Sequence, residues 1–229
     1  MMLTAGLLYL ALVSSAPPAN GQAAPPEFAR GAPDKLLIHE TTDKASKARK
    51  YLDDVARCLA SHHRTGSAAA LALPYGSAQQ GNAVVRMMQS EDSCFGPVFS
   101  SMSINFETQP VVAGMAEFFL GNAKALEDAR RHDPHSFVWP APNAMEEFGD
   151  CVVAQGEAPV RAFIDTTVGS DAEQSQAQAL APQLAQCVAE GQTIAVEPAA
   201  MRQILAVALY RRVAAPPAPV AAAAAAPTH

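Results

Sequence analysis

Apolar positions along this chain fall at helical rather than strand spacing. Leu52, Val55, Cys58 and Leu59 stand at i, i+3, i+6 and i+7, which lays their side chains along one face of an α-helix. Met145, Phe148, Cys151 and Val152 form the same stripe further on. Each stripe predicts a first helix. A short second helix follows around Ala69–Leu73 in one case and Pro159–Thr166 in the other. A glycine turn comes next, Gly76-Ser77 and Gly169-Ser170. Ser77-x-x-Gln80 and Ser170-x-x-Glu173 then read as capping boxes: the serine oxygen accepts from the N3 amide, and the Gln or Glu side chain reaches back to the serine amide. A third helix carries Val84, Met87 and Met88 in the first stretch, and Ala177, Leu180 and Ala181 in the second. Pro182 is expected to kink the second of these, because proline removes a donor and crowds the preceding turn.

After the second cysteine of each stretch an extended piece, Ile104-x-Phe106 or Ile194-x-Val196, leads into a fourth amphipathic helix. Val111, Met115, Ala116 and Phe119 line that helix in one case, and Met201, Leu205, Ala206 and Leu209 in the other. Pro198 suits a first helical turn and Gly121-Asn122 a helix end. The expected fold is therefore all-α: two diverged four-helix modules, residues 46–122 and 143–213, joined by a linker over 123–142. The extended pieces near Ile104 and Ile194 are expected to pair as a small two-stranded ribbon.

Composition supports helices and says where the chain goes. Hydrophobic residues make up 49% and aromatics only 6%; the excess is largely alanine, the best helix former. Residues 3–16 form an apolar run followed by small residues, too short to span a bilayer and suited to a secretory signal peptide over 1–23. Residues 24–45 read as a flexible leader, and the Ala/Pro stretch 214–229 as a disordered tail. The expected location is periplasmic or secreted. A net charge of −6 with no basic stretch beyond Lys44–Lys50 argues against nucleic acid, whose binding needs clustered cations.

Four cysteines allow three pairings. Cys58 and Cys94 are 36 positions apart, as are Cys151 and Cys187, so the pairing that respects the repeat is Cys58–Cys94 and Cys151–Cys187. In an exported chain these are expected to be structural disulfides. The chain-entropy relation gives each loop about 3.8 kcal/mol, a substantial gain for a module too small to be secure on its core alone.

Other chemistry is thin. Cys58 and His62 lie one helical turn apart, a spacing that permits a thiol–imidazole pair, but Gln155 stands at the second copy's equivalent position. His132-Asp133-Pro134-His135 offers two imidazoles and a carboxylate, fewer than a metal centre's usual ligands, and reads as polar linker. Glu107 and Glu197 precede the fourth helices, where a helix dipole favours negative charge; a shared carboxylate pocket is the catalytic alternative. Trp139, among Phe137, Val138 and Pro140, is expected to pin the linker into the groove between the modules, with an exposed partner contact as the alternative. No catalytic, cofactor-binding or metal-binding residue is assigned.

Cys151-Val152-Val153, Gly169-Ser170-x-x-Glu173, Cys187 and the closing Met201-Arg202-Gln203-Ile204-Leu205-Ala206-Val207-Ala208-Leu209-Tyr210 resemble uncharacterised exported helical-repeat proteins of alphaproteobacteria, sphingomonad-like in composition. The resemblance covers the second copy best. It implies a periplasmic setting and no activity. The sequence favours a non-catalytic binding or interaction protein with a protein partner in the cell envelope, against an envelope enzyme working through Glu107 and Glu197.

Overall fold

The computed structural model describes residues 36–38, 43–95, 107–189 and 194–215. The leader up to residue 35, Ile104 and the alanine-rich tail beyond residue 215 lie outside the described residues. Among the described residues the body is all-α, with ten α-helices and one short strand pair.

The first half holds α1 (Asp43–His62), α2 (Arg64–Leu71), α3 (Ala78–Ser90) and α4 (Gln109–Gly121). The expected stripe on α1 faces inward, with Val55 and Leu59 fully buried. Asn122 closes α4 and also opens α5 (Ala123–His132), its side chain accepting from the Ala125 amide at 2.9 Å. The segment expected to be linker is thus largely helical. After α5 a 3-10 turn over Pro134–Phe137 is started by Asp133, whose carboxylate accepts from the His135 amide.

The second half holds α6 (Ala144–Gln155), α7 (Glu157–Ile164), α8 (Asp171–Ala179), α9 (Ala181–Gln186) and α10 (Pro198–Ala214). The kink expected at Pro182 is a full break. Leu180 ends α8 and starts α9, with the proline in the first turn of α9, where its missing donor costs nothing.

The glycine turns sit where the sequence placed them. Gly76 and Gly169 both have φ +73°, in the left-handed region that glycine enters without a Cβ penalty. Ser77 and Ser170 cap the following helices, each accepting at 3.2 Å from the N3 amide. The reciprocal half of the motif differs from expectation. Gln80 and Glu173 accept from the amides of Gly76 and Gly169, both at 2.9 Å, not from the serine amides. The glycine's left-handed turn aims its own N–H at that side chain, while the serine N–H donates back to Pro74 or Thr167. A full capping box is present at Asn143 and Glu146, opening α6.

Of the expected ribbon only the Ile194 piece falls among the described residues, and Ile104 does not. Residues Ile194–Val196 (β2) pair in parallel with Leu36–Ile38 (β1), in the register Leu36 to Ile194 and Ile38 to Val196. The Leu-Leu-Ile run lay in the segment read as leader, and it supplies three residues of strand-forming sequence.

The core is built on α4 and α10, which pack on each other and are covered by α1 and α6. Both are buried around most of their circumference: α4 hides Val111 through Glu117, and α10 hides Ile204 through Arg211. Small residues bring the outer helices close. A Cβ on Gly114 would lie 2.5 Å from the Ala56 Cβ, and one on Gly149 would lie 2.9 Å from the Ala208 Cβ.

Candidate functional site

The four cysteines form the two expected bridges. Cys58 and Cys94 have Cα atoms 5.6 Å apart, and Cys151 and Cys187 5.8 Å apart. The first ties α1 to the 3-10 turn that follows α3, and the second ties α6 to the end of α9. Their surroundings differ. Beside Cys58–Cys94 stands His62, one turn along α1, and an imidazole nitrogen and the two sulfurs lie within 4.8 Å of one another. His62 Nδ1 and His63 Nε2 are each 3.3 Å from Glu91 Oε2. Hydrogen bonds from Ser93 first, and then from His62, hold the Glu91 carboxyl below the usual carboxylate range.

The remaining sequence candidates take helix-end and turn positions. His132 and His135 are exposed at the end of α5 and in the turn that follows. Asp133, between them, caps that turn, and its hydrogen bond from Ser136 lowers its pKa. Glu107 and Glu197 are both exposed. Glu107 precedes the N-cap of α4 and Glu197 is the N-cap residue of α10, which fits the helix-dipole account. Trp139 is half-buried against α10. Its ring centroid is 5.9 Å from that of Tyr210, and the Arg211 guanidinium lies over it at 5.6 Å.

The most elaborate chemistry is one the sequence reading did not single out. Arg202, on the first turns of α10 and 4% exposed, donates through Nε and Nη2 to both carboxylate oxygens of Glu117 on α4, each at 2.7 Å. Its Nη1 reaches Glu173 on α8 at 3.2 Å and the Thr166 hydroxyl at 3.1 Å, and Nη2 also meets the Ile164 carbonyl at 2.6 Å. Arg57 on α1 makes a further contact with Glu117 at 3.1 Å, and Arg49 holds Glu173 through both guanidinium nitrogens at 2.6 and 3.0 Å. Three arginines and two glutamates therefore join α1 and α4 to α8 and α10. Burial pushes the Glu117 carboxyl up, against the hydrogen bonds and charge of Arg202. Burial works to lower Arg202, yet the Glu117 hydrogen bonds and the charges of Glu117 and Glu173 leave it raised. Both shifts are upward: Arg202 stays charged, and only the burial of Glu117 works against the ionised pair. Two 2.7 Å guanidinium contacts plus Arg57 favour the ionised pair at neutral pH. A second buried pair, Arg211 with Glu146 at 2.5 Å, sits further along α10, where Glu146 also accepts from the Tyr75 amide at 2.8 Å and Arg211 donates to the Leu73 carbonyl at 3.1 Å.

The signal for these groups was present in the sequence. Glu117 breaks the apolar run Val111–Phe119, and Arg202 and Arg211 flank the apolar run Ile204–Leu209; a charge buried in or beside such a run must find a partner. The cavity along the first network is only about 30 Å³, room for water and not for a substrate. The network is a joint between elements.

On the surface, two open cavities of about 450 and 410 Å³ share Arg64 as a wall. His62, His63 and Thr65 line one, and Asp128, Arg131 and His132 the other. Arg64, Lys124 and Arg131 all converge on the Asp128 carboxylate, the first two at 3.4 and 2.8 Å. Three cations against one anion leave net positive charge on this face of a chain whose total is −6.

No protein-family model, curated protein or solved structure matches the chain. Among the described residues, no helix is long and apolar enough to cross a membrane.

Proposed function

We propose that this chain is an exported, non-catalytic binding protein of the cell envelope that engages an acidic protein segment through the face formed by the start of α2 and the end of α5. The observation that carries the reading is the convergence of Arg64, Lys124 and Arg131 on the single carboxylate of Asp128, between two open cavities. Lys124 and Arg131 are 82% and 64% exposed, so their donors remain available to a partner, and a carboxylate-rich segment would complete the charge that Asp128 leaves unmatched. Two disulfides support export, since such bridges persist in oxidising compartments. A duplicated scaffold is supported by equal cysteine spacing, two left-handed glycines and two serine caps at matching positions.

The test is affinity capture from periplasmic extract, comparing the natural chain with an Arg64→Glu/Arg131→Glu variant. Both side chains are at least 46% exposed, so the variant is expected to keep its fold. The reading requires a partner that is retained at low salt, released as ionic strength rises, and lost with the charge reversal. A partner retained equally by both proteins refutes the assigned face.

A further inference from the structure

The two disulfides are chemically unequal, and the difference goes beyond the binding role proposed above. Around Cys58–Cys94 stand His62, His63 and Glu91. Around Cys151–Cys187 the matching positions hold Gln155, Gly156 and Leu184, none of them a metal ligand. We propose that Cys58, Cys94 and His62 form a redox-gated site for a zinc-like divalent cation, closed while the disulfide is intact and opened by its reduction.

The geometry carries this in three steps. First, the two sulfurs and an imidazole nitrogen already lie within 4.8 Å of one another. A tetrahedral cation with Zn–S of about 2.3 Å and Zn–N of about 2.0 Å needs such atoms at separations of roughly 3.5–3.8 Å, so the ligands have only to settle inward as the sulfurs part. Second, the segment that must yield is short. Cys94 ends a three-residue 3-10 turn whose Asp92 and Ser93 are exposed and is itself packed against the core edge, whereas Cys58 is fixed within α1. Third, supporting groups are in place. The Glu91 carboxylate lies 3.3 Å from His62 Nδ1, as in the carboxylate–histidine pairs that orient metal-bound imidazoles. Water supplies the fourth ligand.

The chemistry balances with a dithiol reductant of the thioredoxin-like class. Its thiolate attacks one sulfur and its second thiol resolves the mixed disulfide. Two electrons and two protons pass to Cys58 and Cys94, and the reductant leaves as its own disulfide. Cation binding then displaces the two thiol protons to solvent, and neutral His62 donates its lone pair.

The test uses the full chain, reduced by a phosphine under anaerobic conditions and titrated with Co²⁺, then Zn²⁺, with far-UV circular dichroism recorded throughout. One equivalent of Co²⁺ is expected to produce a sulfur-to-cobalt charge-transfer band that Zn²⁺ abolishes. The band should persist in Cys151→Ser/Cys187→Ser and vanish in Cys58→Ser/Cys94→Ser. His62→Gln, which recreates the second copy's residue, should weaken binding tenfold or more. The oxidised chain should show no band. Helicity lost on reduction and regained with Zn²⁺ also supports the site, because metal binding is then coupled to folding. Absence of the band in the reduced Cys151→Ser/Cys187→Ser protein overturns it. So does equal affinity in His62→Gln, equal binding by the Cys151/Cys187 pair, or a reduced chain that stays unfolded with zinc present.

Discussion

Arg202→Met tests whether the buried ionic joint holds the two halves together. The replacement keeps an unbranched side chain of similar length and removes the guanidinium. It deletes two 2.7 Å bonds to Glu117, one contact to Glu173, and the bonds to Thr166 and the Ile164 carbonyl. Removing one partner from a buried pair costs about 3–5 kcal/mol, because a charge is left without compensation. Here Glu117 keeps Arg57 and Glu173 keeps Arg49, so the expected loss is at the lower end, about 3 kcal/mol. For a folded body of this size that corresponds to a fall in Tm of roughly 6–12 °C. It is a large part of the roughly 5–15 kcal/mol that holds an ordinary protein folded.

Two further variants turn that figure into a test of mechanism. Arg57→Ala removes an arginine that is 42% exposed, and a solvent-screened pair of this kind is worth under about 1 kcal/mol. The double change Arg202→Met/Glu117→Met removes both members of the central pair, and it is expected to recover at least 1 kcal/mol of the single-variant loss, since matched apolar groups often replace buried ions without penalty. Urea unfolding followed by far-UV circular dichroism, with disulfides intact, reads all three. The reasoning fails if Arg202→Met costs less than 1 kcal/mol. It fails equally if Arg57→Ala costs as much, or if the double variant is no more stable than Arg202→Met.

The two left-handed glycines give a paired comparison. Gly76→Ala meets only the Gln109 side chain, at 3.8 Å, so its cost is the backbone preference, about 1 kcal/mol; Gly169→Ala also drives its Cβ to 2.7 Å from the Ser46 Cβ and should cost about 1–3 kcal/mol more. Equal losses in denaturant unfolding would sink the distinction. Replacing either cysteine pair by serine should lower stability by about 2–5 kcal/mol, measured in the same assay, and a loss under 1 kcal/mol at either bridge would contradict its structural role. Tyr75 and Tyr210 both have hydroxyls pushed well above the ordinary tyrosine range, chiefly by burial. The unfolded chain therefore releases these protons near pH 10 while the fold retains them, so stability should fall above pH 10 by about 1.4 kcal/mol per pH unit for each tyrosine. Tyr75→Phe and Tyr210→Phe should each remove one share of that slope. Reversible ionisation of both at an ordinary midpoint, with helicity intact, would refute the assignment.

Much of the helical plan was legible because helical period, glycine turns and serine caps act locally. The stripe at Leu52, Val55, Cys58 and Leu59 needs only 3.6-residue geometry to be read, and the fully buried Val55 and Leu59 lie on the expected face. Equal spacing identified both disulfides. What escaped the sequence depends on distant parts of the chain. The strand partner of Ile194–Val196 is Leu36–Ile38, more than 150 residues earlier, and three residues carry no pairing code. The segment 123–142 looked like linker because of its prolines. Yet the first of these is Pro134, leaving Ala123–His132 free to form α5. Gln80 and Glu173 were read as reciprocal partners of the serines. A left-handed glycine one residue earlier presents its N–H instead, a consequence of backbone geometry that a motif of residue types does not encode.

The buried charges tie the two halves to each other. Leu73 and Thr166 occupy the same place relative to the two cysteine pairs, in the turn after the second helix, and in both turns the backbone carbonyl receives an arginine from α10. Arg202 donates to the Thr166 carbonyl at 3.1 Å, and Arg211 to the Leu73 carbonyl at 3.1 Å. The two arginines are nine residues apart, about two and a half turns, which sets them on opposite sides of the helix and lets a single element reach both halves. Their carboxylate partners are not equivalent: Glu117 comes from the first half and Glu146 from the second. Ninety positions from Arg202 and Glu117 stand Val112 and Val207, so this pair of charges is not repeated at that offset. An apolar face alone would let α4 and α10 slide or pair with a second copy of themselves. A single set of buried ions, satisfied in only one arrangement, selects that arrangement against its apolar alternatives. Arg202 and Glu117, one on each of the two central helices, fix how the halves are joined.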